Sequence, residues 1–270
     1  MIEIKDFKIG ENKPLVLIAG PCVVENEKIT LYTAERIKKI TEKFNIPYIF
    51  KASYKKANRT SINSFTGIGD VVALKILSKV NKDFDIPVLT DIHSSEEARI
   101  AAGYVDILQI PAFLCRQTEL LISAGETEKI INIKKGQFLA PEDMKFAADK
   151  VASTGNKKIL LTERGTTLGY HNLVVDMRSL VIMRELGYPV VMDATHSVQL
   201  PSKGSVSSGE PEFIKPLARA AAAVGIDALF LEVHPDPKKA LSDAASQLPL
   251  SELEGLLVHV IGIDRIVKGY

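Results

Sequence analysis

The chain has 270 residues, 46% of them hydrophobic and 25% charged, with 34 basic against 33 acidic side chains and a formal net charge of +1. That length suits one large core better than two small ones. The balanced charge excludes a global field for nucleic acid or an anionic membrane, so an anionic ligand must be caught by local cations.

The first segment, IEIKDFKIG, alternates with period two and predicts a short strand pair within residues 1–12. It lacks the apolar stretch of a signal peptide. Apolar runs ending in polar residues then recur at 15–22, 48–53, 87–92, 107–112, 130–136, 159–165, 190–197 and 228–234, eight in all. Helical patterns separate them, among them 28–44, 94–103, 141–155 and 211–225. Ser94 before Glu96 and Glu97 reads as an N-cap, and Gly103, Gly155, Gly187 and Gly225 fall where helices should stop. Continuous apolar strands alternating with helices predict a closed (β/α)8 TIM barrel, with the whole of 1–270 as a single catalytic domain. The alternative, an open doubly wound sheet, more often carries a glycine-rich turn after its first strand, and no GxGxxG occurs here. Three segments read as long loops after strands: 54–69, 197–211 and 235–250. No apolar run approaches the ~20 residues of a membrane span. Two cysteines, Cys22 and Cys115, are too few for a disulfide framework, and the expectation is a soluble protein of the reducing cytoplasm.

A barrel of this kind works at the C-terminal ends of its strands. The polar residues there are Cys22, Lys51, Asp91, Gln109, Lys134, Arg164, His196 and Glu232, one for each run. Any one alone can be punctuation facing solvent. Eight in register point to a ligand, because charges turned inward are costly to bury unpaired. Lys51, Lys56, Arg59, Lys134 and Arg164 make a cationic cluster in a chain of nearly zero charge, which suits a small phosphate or carboxylate. Asn58, Arg59 and Thr60 in KKANRTS add further donors, although that segment alone could be a solvated basic turn. Cys22, His196, Glu232 and Asp243 offer a thiolate, an imidazole and two carboxylates, a donor set for Zn or Fe(II). Their spacing is not a local metal motif, and Cys22 by itself is as readily a small core residue. His234 shares a strand face with Glu232, His93 follows Asp91, and His171 in GYHN is placed to reach the site. His259 is read as a core or surface histidine. Lys51 or Lys134 as a Schiff-base lysine is a competing mechanism.

The segments IAGPC (18–22), FKASYKKANRTS (50–61), DILQIPAFLCRQT (106–118), INIKKGQFLAPEDM (131–144), LTERGTTLGY (161–170), DATHSVQLP (193–201) and LFLEVHPDPKKALSDAASQLPL (229–250) resemble the 3-deoxy-D-manno-octulosonate 8-phosphate synthase family. The resemblance covers nearly the whole chain. It implies condensation of phosphoenolpyruvate with arabinose 5-phosphate and water, releasing phosphate, for lipopolysaccharide biosynthesis. By resemblance, Lys51, Lys56, Lys134 and Arg164 bind phosphoenolpyruvate. Asn58, Arg59 and Thr60 form the aldose-phosphate site, and Asp91, Gln109 and Phe113 line the region between. Lys134 and His196 are proton-transfer candidates. Arg116 resembles a residue that reaches a neighbouring subunit's sugar phosphate, in a family that is usually tetrameric. Cys22 stands where a metal-independent branch carries Asn, so the resemblance implies one divalent metal ion (Zn, Fe(II), Mn, Co or Cd) on Cys22, His196, Glu232 and Asp243.

Departures from the family pattern are KANRTS for KANRSS, SFTGIG with Thr66 and Ile68 for SFRGPG, and a loop at 202–211 without the usual glycine-rich run and with Pro211 where Arg is common. They bear on loop order and assembly more than on chemistry. The sister activity, 3-deoxy-D-arabino-heptulosonate 7-phosphate synthesis from erythrose 4-phosphate, usually carries KPRTS, so Asn58 speaks against it. A silent sugar-phosphate-binding barrel is the alternative from another class, and retention of every cation and metal-type residue argues against it.

Overall fold

The structure is a computed structural model that describes residues 1–58, 61–200 and 208–270. Eight parallel strands form a ring: β1 (Val16–Gly20), β2 (Tyr48–Lys51), β3 (Val88–Asp91), β4 (Ile107–Ile110), β5 (Ile130–Lys134), β6 (Ile159–Glu163), β7 (Val190–Asp193) and β8 (Ala228–His234). Each pairs with the next in chain order, and β8 pairs with both β7 and β1, which closes the barrel. Helices follow the strands: α1 (Glu27–Phe44), α2 (Asp70–Phe84), α3 (Ser95–Ala102), α4 (Thr118–Glu126), α5 (Met144–Ala152), α6 (Arg178–Glu185), α7 (Ile214–Val224) and α8 (Leu250–Lys268).

Local chemistry sets the helix ends. The Asn26 side chain accepts from the Ile29 amide at 2.9 Å to start α1, and Ser94 accepts from the Glu97 amide at 3.2 Å to start α3. Gly155, Gly187 and Gly225 take the left-handed conformation, with φ of 91°, 88° and 90°. Gly103 also ends a helix, but at φ −74°, so α3 stops there without a left-handed turn.

Strand alternation produces two cores. One face of each strand packs on the helices. The other faces the barrel axis, where Val16, Ile18, Ile49, Leu89, Ile107, Ile130, Leu160, Val191 and Phe230 form a separate apolar cluster. The predicted N-terminal hairpin exists, with Ile2–Ile4 antiparallel to Phe7–Ile9. Its Ile2, Ile4 and Ile9 join the inner cluster, so the hairpin plugs the end of the barrel where the strands begin. At the same end the buried Asp264 of α8 accepts from the Leu15 amide at 2.9 Å and the Tyr270 hydroxyl at 2.7 Å, and faces Lys268 at 2.8 Å.

Two steps further along seven of the strands the inward residues turn polar: Ile49 is followed by Lys51, Leu89 by Asp91, Ile107 by Gln109, Ile130 by Asn132 and then Lys134, Leu160 by Thr162, Val191 by Asp193 and Phe230 by Glu232. One end of the barrel is therefore a dry plug and the other a polar mouth. Gly20 fits the mouth because a Cβ there would lie 2.1 Å from the Lys51 carbonyl oxygen.

The long connections lie where the sequence predicts, with one addition. Residues 164–177 carry their own small hairpin, Thr166–Thr167 against Leu173–Val174. Two-residue strands are too short to leave a periodic signal. In the loop after β7, Gln199–Leu200 pairs with Ser208–Gly209.

Candidate active site

A cavity of about 410 Å³ opens at the polar end of the barrel. Lys51, Lys56, Asn58, Asp91, Gln109, Phe113, Lys134, Arg164, His196 and Asp243 all line it, as does His93. Cys22 and Glu232 are each 1% exposed and sit in its wall against these residues. Arg59 and Thr60 lie outside the described residues.

The charges are arranged before any substrate arrives. The Lys51 ammonium donates to Glu232 Oε1 at 2.7 Å and to the Cys22 carbonyl at 3.2 Å. Lys134 donates to Asp193 Oδ2, lies 3.3 Å from His196 Nδ1, and stands over the Phe230 ring 3.9 Å from its centroid. Asp193 also takes His196 Nδ1 at 2.7 Å and the His196 backbone amide at 2.9 Å. It thereby fixes the imidazole and leaves Nε2 facing Glu232 Oε1 at 3.5 Å. Arg164 donates to Gln199 Oε1 at 3.0 Å through Nη2, while its buried Nη1 has no hydrogen-bond partner among the described residues.

Burial and partners pull against each other here. Burial opposes the Asp193 and Glu232 charges. For Asp193 the neighbouring His196 and Lys134 win, and for Glu232 Lys51, His196 and Lys56 do, so both carboxyls are held well below the usual range. Burial pushes the pKa of Lys134 and of Arg164 down, against the pull of Asp193 in both cases. For Lys56 burial loses, because Cys22, Glu232 and Asp243 raise its pKa. The Cys22 thiol is pushed well up, first by burial and then by Asp243 and Glu232. A cation beside the sulfur reverses that, since metal coordination deprotonates a thiol.

The donor set for such a cation is assembled in part. Ligand atoms of Cys22, Glu232 and Asp243 lie within 4.8 Å of one another. Cys22 Sγ is 3.4 Å from Asp243 Oδ2. Glu232 Oε2 is buried with no hydrogen-bond partner among the described residues, the state expected of a carboxylate oxygen reserved for a metal. His196 falls outside this tight group and adjoins it through Glu232. A sulfur, two carboxylates and an adjacent imidazole fit a borderline divalent ion such as Zn or Fe(II).

The other residues singled out in the sequence lie around or outside this cavity. His171 sits exposed at the turn of the small hairpin, at φ 56°, and does not line the cavity. Arg116 is exposed and does not line this chain's cavity, and its carbonyl accepts from Lys150 at 2.9 Å. His234 is buried, with Nδ1 accepting from the Asp236 amide at 3.0 Å and Nε2 3.6 Å from Glu25 Oε1, away from the cavity lining. His259 is exposed on α8. The Thr66 carbonyl accepts from the Lys56 amide at 2.8 Å. Of the divergent 202–211 stretch, 202–207 lie outside the described residues, while Ser208 lines the cavity.

Sequence reasoning missed Asp193, Gln137 and Asn132. Asp193 is the true end of β7, and His196 belongs to a 3-10 turn three residues later. The missed signal was the alternation itself, because Val191 and Asp193 share the inward face.

The sequence pattern of the DAHP synthetase I family matches residues 1–268. The chain is 57% identical over 268 residues to a 2-dehydro-3-deoxyphosphooctonate aldolase of Geotalea uraniireducens, covering 99% of this chain and 98% of that one. It is 56% identical over 268 residues to the enzyme of the same name from Geobacter metallireducens, with coverage of 99% and 98%. The corresponding protein of Syntrophotalea carbinolica is 55% identical over 269 residues, with coverage of 99% and 97%.

Proposed function

The chain belongs to the DAHP synthetase I family, and we propose that within it this protein condenses phosphoenolpyruvate with arabinose 5-phosphate and water to give 3-deoxy-D-manno-octulosonate 8-phosphate and phosphate. Its similarity to proteins named for the octulosonate reaction carries this reading. The Asn58 of KANR supports it over the seven-carbon sister activity.

The methylene carbon of phosphoenolpyruvate bonds to the aldehyde carbon, and the aldehyde oxygen takes a proton to become a hydroxyl. Water adds at the second carbon, and the resulting tetrahedral centre expels phosphate. Two polyanions must meet face to face, so most of the catalytic work is orientation and charge compensation. Arg164, whose buried Nη1 has no partner among the described residues, and Lys56 serve the phosphoenolpyruvate anion. Lys51 and Lys134 enter the same region already held by Glu232 and Asp193. Lys134 and His196, 3.3 Å apart, are the groups placed to move a proton. Because phosphoenolpyruvate is already an activated enol, neither lysine needs to form an imine.

Cys22, His196, Glu232 and Asp243 are the residues that would hold one divalent cation, which supplies Lewis acidity at this wall of the cavity. Arg59 and Thr60 join Asn58 in binding the aldose phosphate, and Asp91, Gln109 and Phe113 border the space between the substrates. The chain works as a single catalytic unit in the cytoplasm. It assembles as a homotetramer in which Arg116 reaches a neighbour's sugar phosphate, which suits an exposed arginine outside its own cavity. Mixing Arg116→Ala subunits with Lys134→Ala subunits, both inactive, restores partial turnover if Arg116 acts across subunits; no recovery in verified mixed oligomers confines Arg116 to its own chain.

The test of the reaction is release of inorganic phosphate from phosphoenolpyruvate. It should require an aldose phosphate, with a specificity constant for arabinose 5-phosphate well above that for erythrose 4-phosphate. Equal or reversed constants overturn the assignment.

A further inference from the structure

A line of buried polar side chains crosses the barrel at the floor of the cavity, one from each of the successive strands β6, β5, β4 and β3, and ends on Ser53 just beyond β2. The Thr162 hydroxyl donates to Asn132 Oδ1 at 2.6 Å. Asn132 Nδ2 donates to Gln109 Oε1 at 2.8 Å. Gln109 Nε2 donates to Asp91 Oδ1, and the Ser53 hydroxyl donates to Asp91 Oδ2. Thr162, Asn132 and Ser53 are 0% exposed and Gln109 is 1% exposed, whereas Asp91 reaches the cavity at 8%. Neither Asn132 nor Thr162 lines the cavity.

The direction of this line follows from chemistry. Asp91, with Lys51 at 3.9 Å, is an anion and accepts only. Gln109 must therefore turn its amide nitrogen to Asp91, and its oxygen then faces Asn132. That oxygen requires the Asn132 nitrogen, which leaves the Asn132 oxygen for the Thr162 hydroxyl. Each amide has one permitted orientation, set by its neighbour. Asp91 is thus pinned from behind by two donors and offers the cavity acceptors alone. The carboxylate itself disfavours close approach of the substrates' phosphates and carboxylate and receives hydroxyl donors.

We infer that Asn132 and Thr162 are positioning residues for the aldose: through Gln109 they hold Asp91 so that this wall of the cavity binds the hydroxylated carbon chain of the sugar phosphate and excludes the enol anion. The inference rests on the proposed condensation and adds a specificity device to it.

The test compares KM for each substrate in Asn132→Asp, Thr162→Val, Thr162→Ser and the double variant Asp91→Asn/Asn132→Asp. Asn132→Asp, once ionised, cannot donate to Gln109, so KM for arabinose 5-phosphate should rise about 10- to 100-fold, as for loss of one charge-assisted hydrogen bond between the aldose and Asp91. KM for phosphoenolpyruvate should stay within about twofold, the change expected where no contact is lost. Thr162→Val should raise the aldose KM less, and Thr162→Ser, which keeps the hydroxyl, should restore it. The double variant can rebuild the line in reverse, with an amide at position 91 donating to Gln109 and Gln109 donating to a carboxylate at position 132. Its melting temperature should recover toward that of the parent while its aldose KM stays high, because the carboxylate at position 91 is gone. Recovery of the aldose KM in the double variant, or equal rises in both KM values, overturns the inference. Absence of turnover by the parent chain would instead overturn the condensation itself.

Discussion

Cys22 is the residue at which the chemistry of the site turns. Without a cation its thiol is buried beside two carboxylates and resists ionisation. On the proposed metal reading a cation would make it a ligand, and the buried Glu232 Oε2 would gain the contact it lacks among the described residues. Cys22→Ala should therefore lower metal affinity by more than the ~10–100-fold that removal of an outer partner costs. Cobalt(II) loaded into the parent should show sulfur-to-metal charge-transfer absorption that is missing in the variant. Cys22→Asn should also lose tight binding but keep measurable turnover that a chelator does not affect. Normal metal content in Cys22→Ala would show the residue to be packing only. Cys22 and Glu232 stood out in the sequence as polar residues closing apolar runs, whereas Asp243 lies in the loop after β8 and no such run marks it. Asp193 could not be picked out in that way, because the reading took His196 as the strand end and so passed over the last inward residue of β7.

At the scale of elements, α3 ties two loops of the mouth together through Glu97. Its carboxylate accepts from the Tyr54 hydroxyl at 2.5 Å and the His93 amide at 2.8 Å, and pairs with Lys55 at 2.6 Å. Burial opposes its charge, but hydrogen bonds from His93, Lys55 and Tyr54 lower its pKa in the folded chain. A carboxyl depressed on folding stabilises the fold above its unfolded pKa of roughly 4.3 and loses that contribution as pH falls through the range down to its folded value. Glu97→Gln should thus lower the denaturation midpoint at pH 7 and flatten its fall below about pH 4.5, the range where an ordinary glutamate begins to protonate. A variant whose midpoint tracks the parent at both pH values would remove this tie. The eight strands and the capped helices were legible because period two and period 3.6 differ over such lengths. The hairpin in 164–177 was not, because its strands are two residues each, too short for any period to show.

For the molecule as a whole, closure at the plugged end depends on Asp264, which joins the last helix to the residue preceding β1. Asp264→Ala strips partners from the Leu15 amide, the Tyr270 hydroxyl and the Lys268 ammonium together, and should cost about 2–4 kcal/mol in denaturant unfolding. A loss below about 0.5 kcal/mol, the range of an ordinary surface change, would show that the barrel closes without it. The closed ring is what brings residues as distant as Cys22 and Asp243 to one wall, and local spacing alone did not reveal that meeting. The most direct measurement gives the metal-loaded protein phosphoenolpyruvate with equal amounts of arabinose 5-phosphate and erythrose 4-phosphate and identifies the sugar product by mass. The account predicts the eight-carbon 3-deoxy sugar acid phosphate, with one inorganic phosphate released per product. A predominance of the seven-carbon product, or phosphate release without any new carbon–carbon bond, would contradict it.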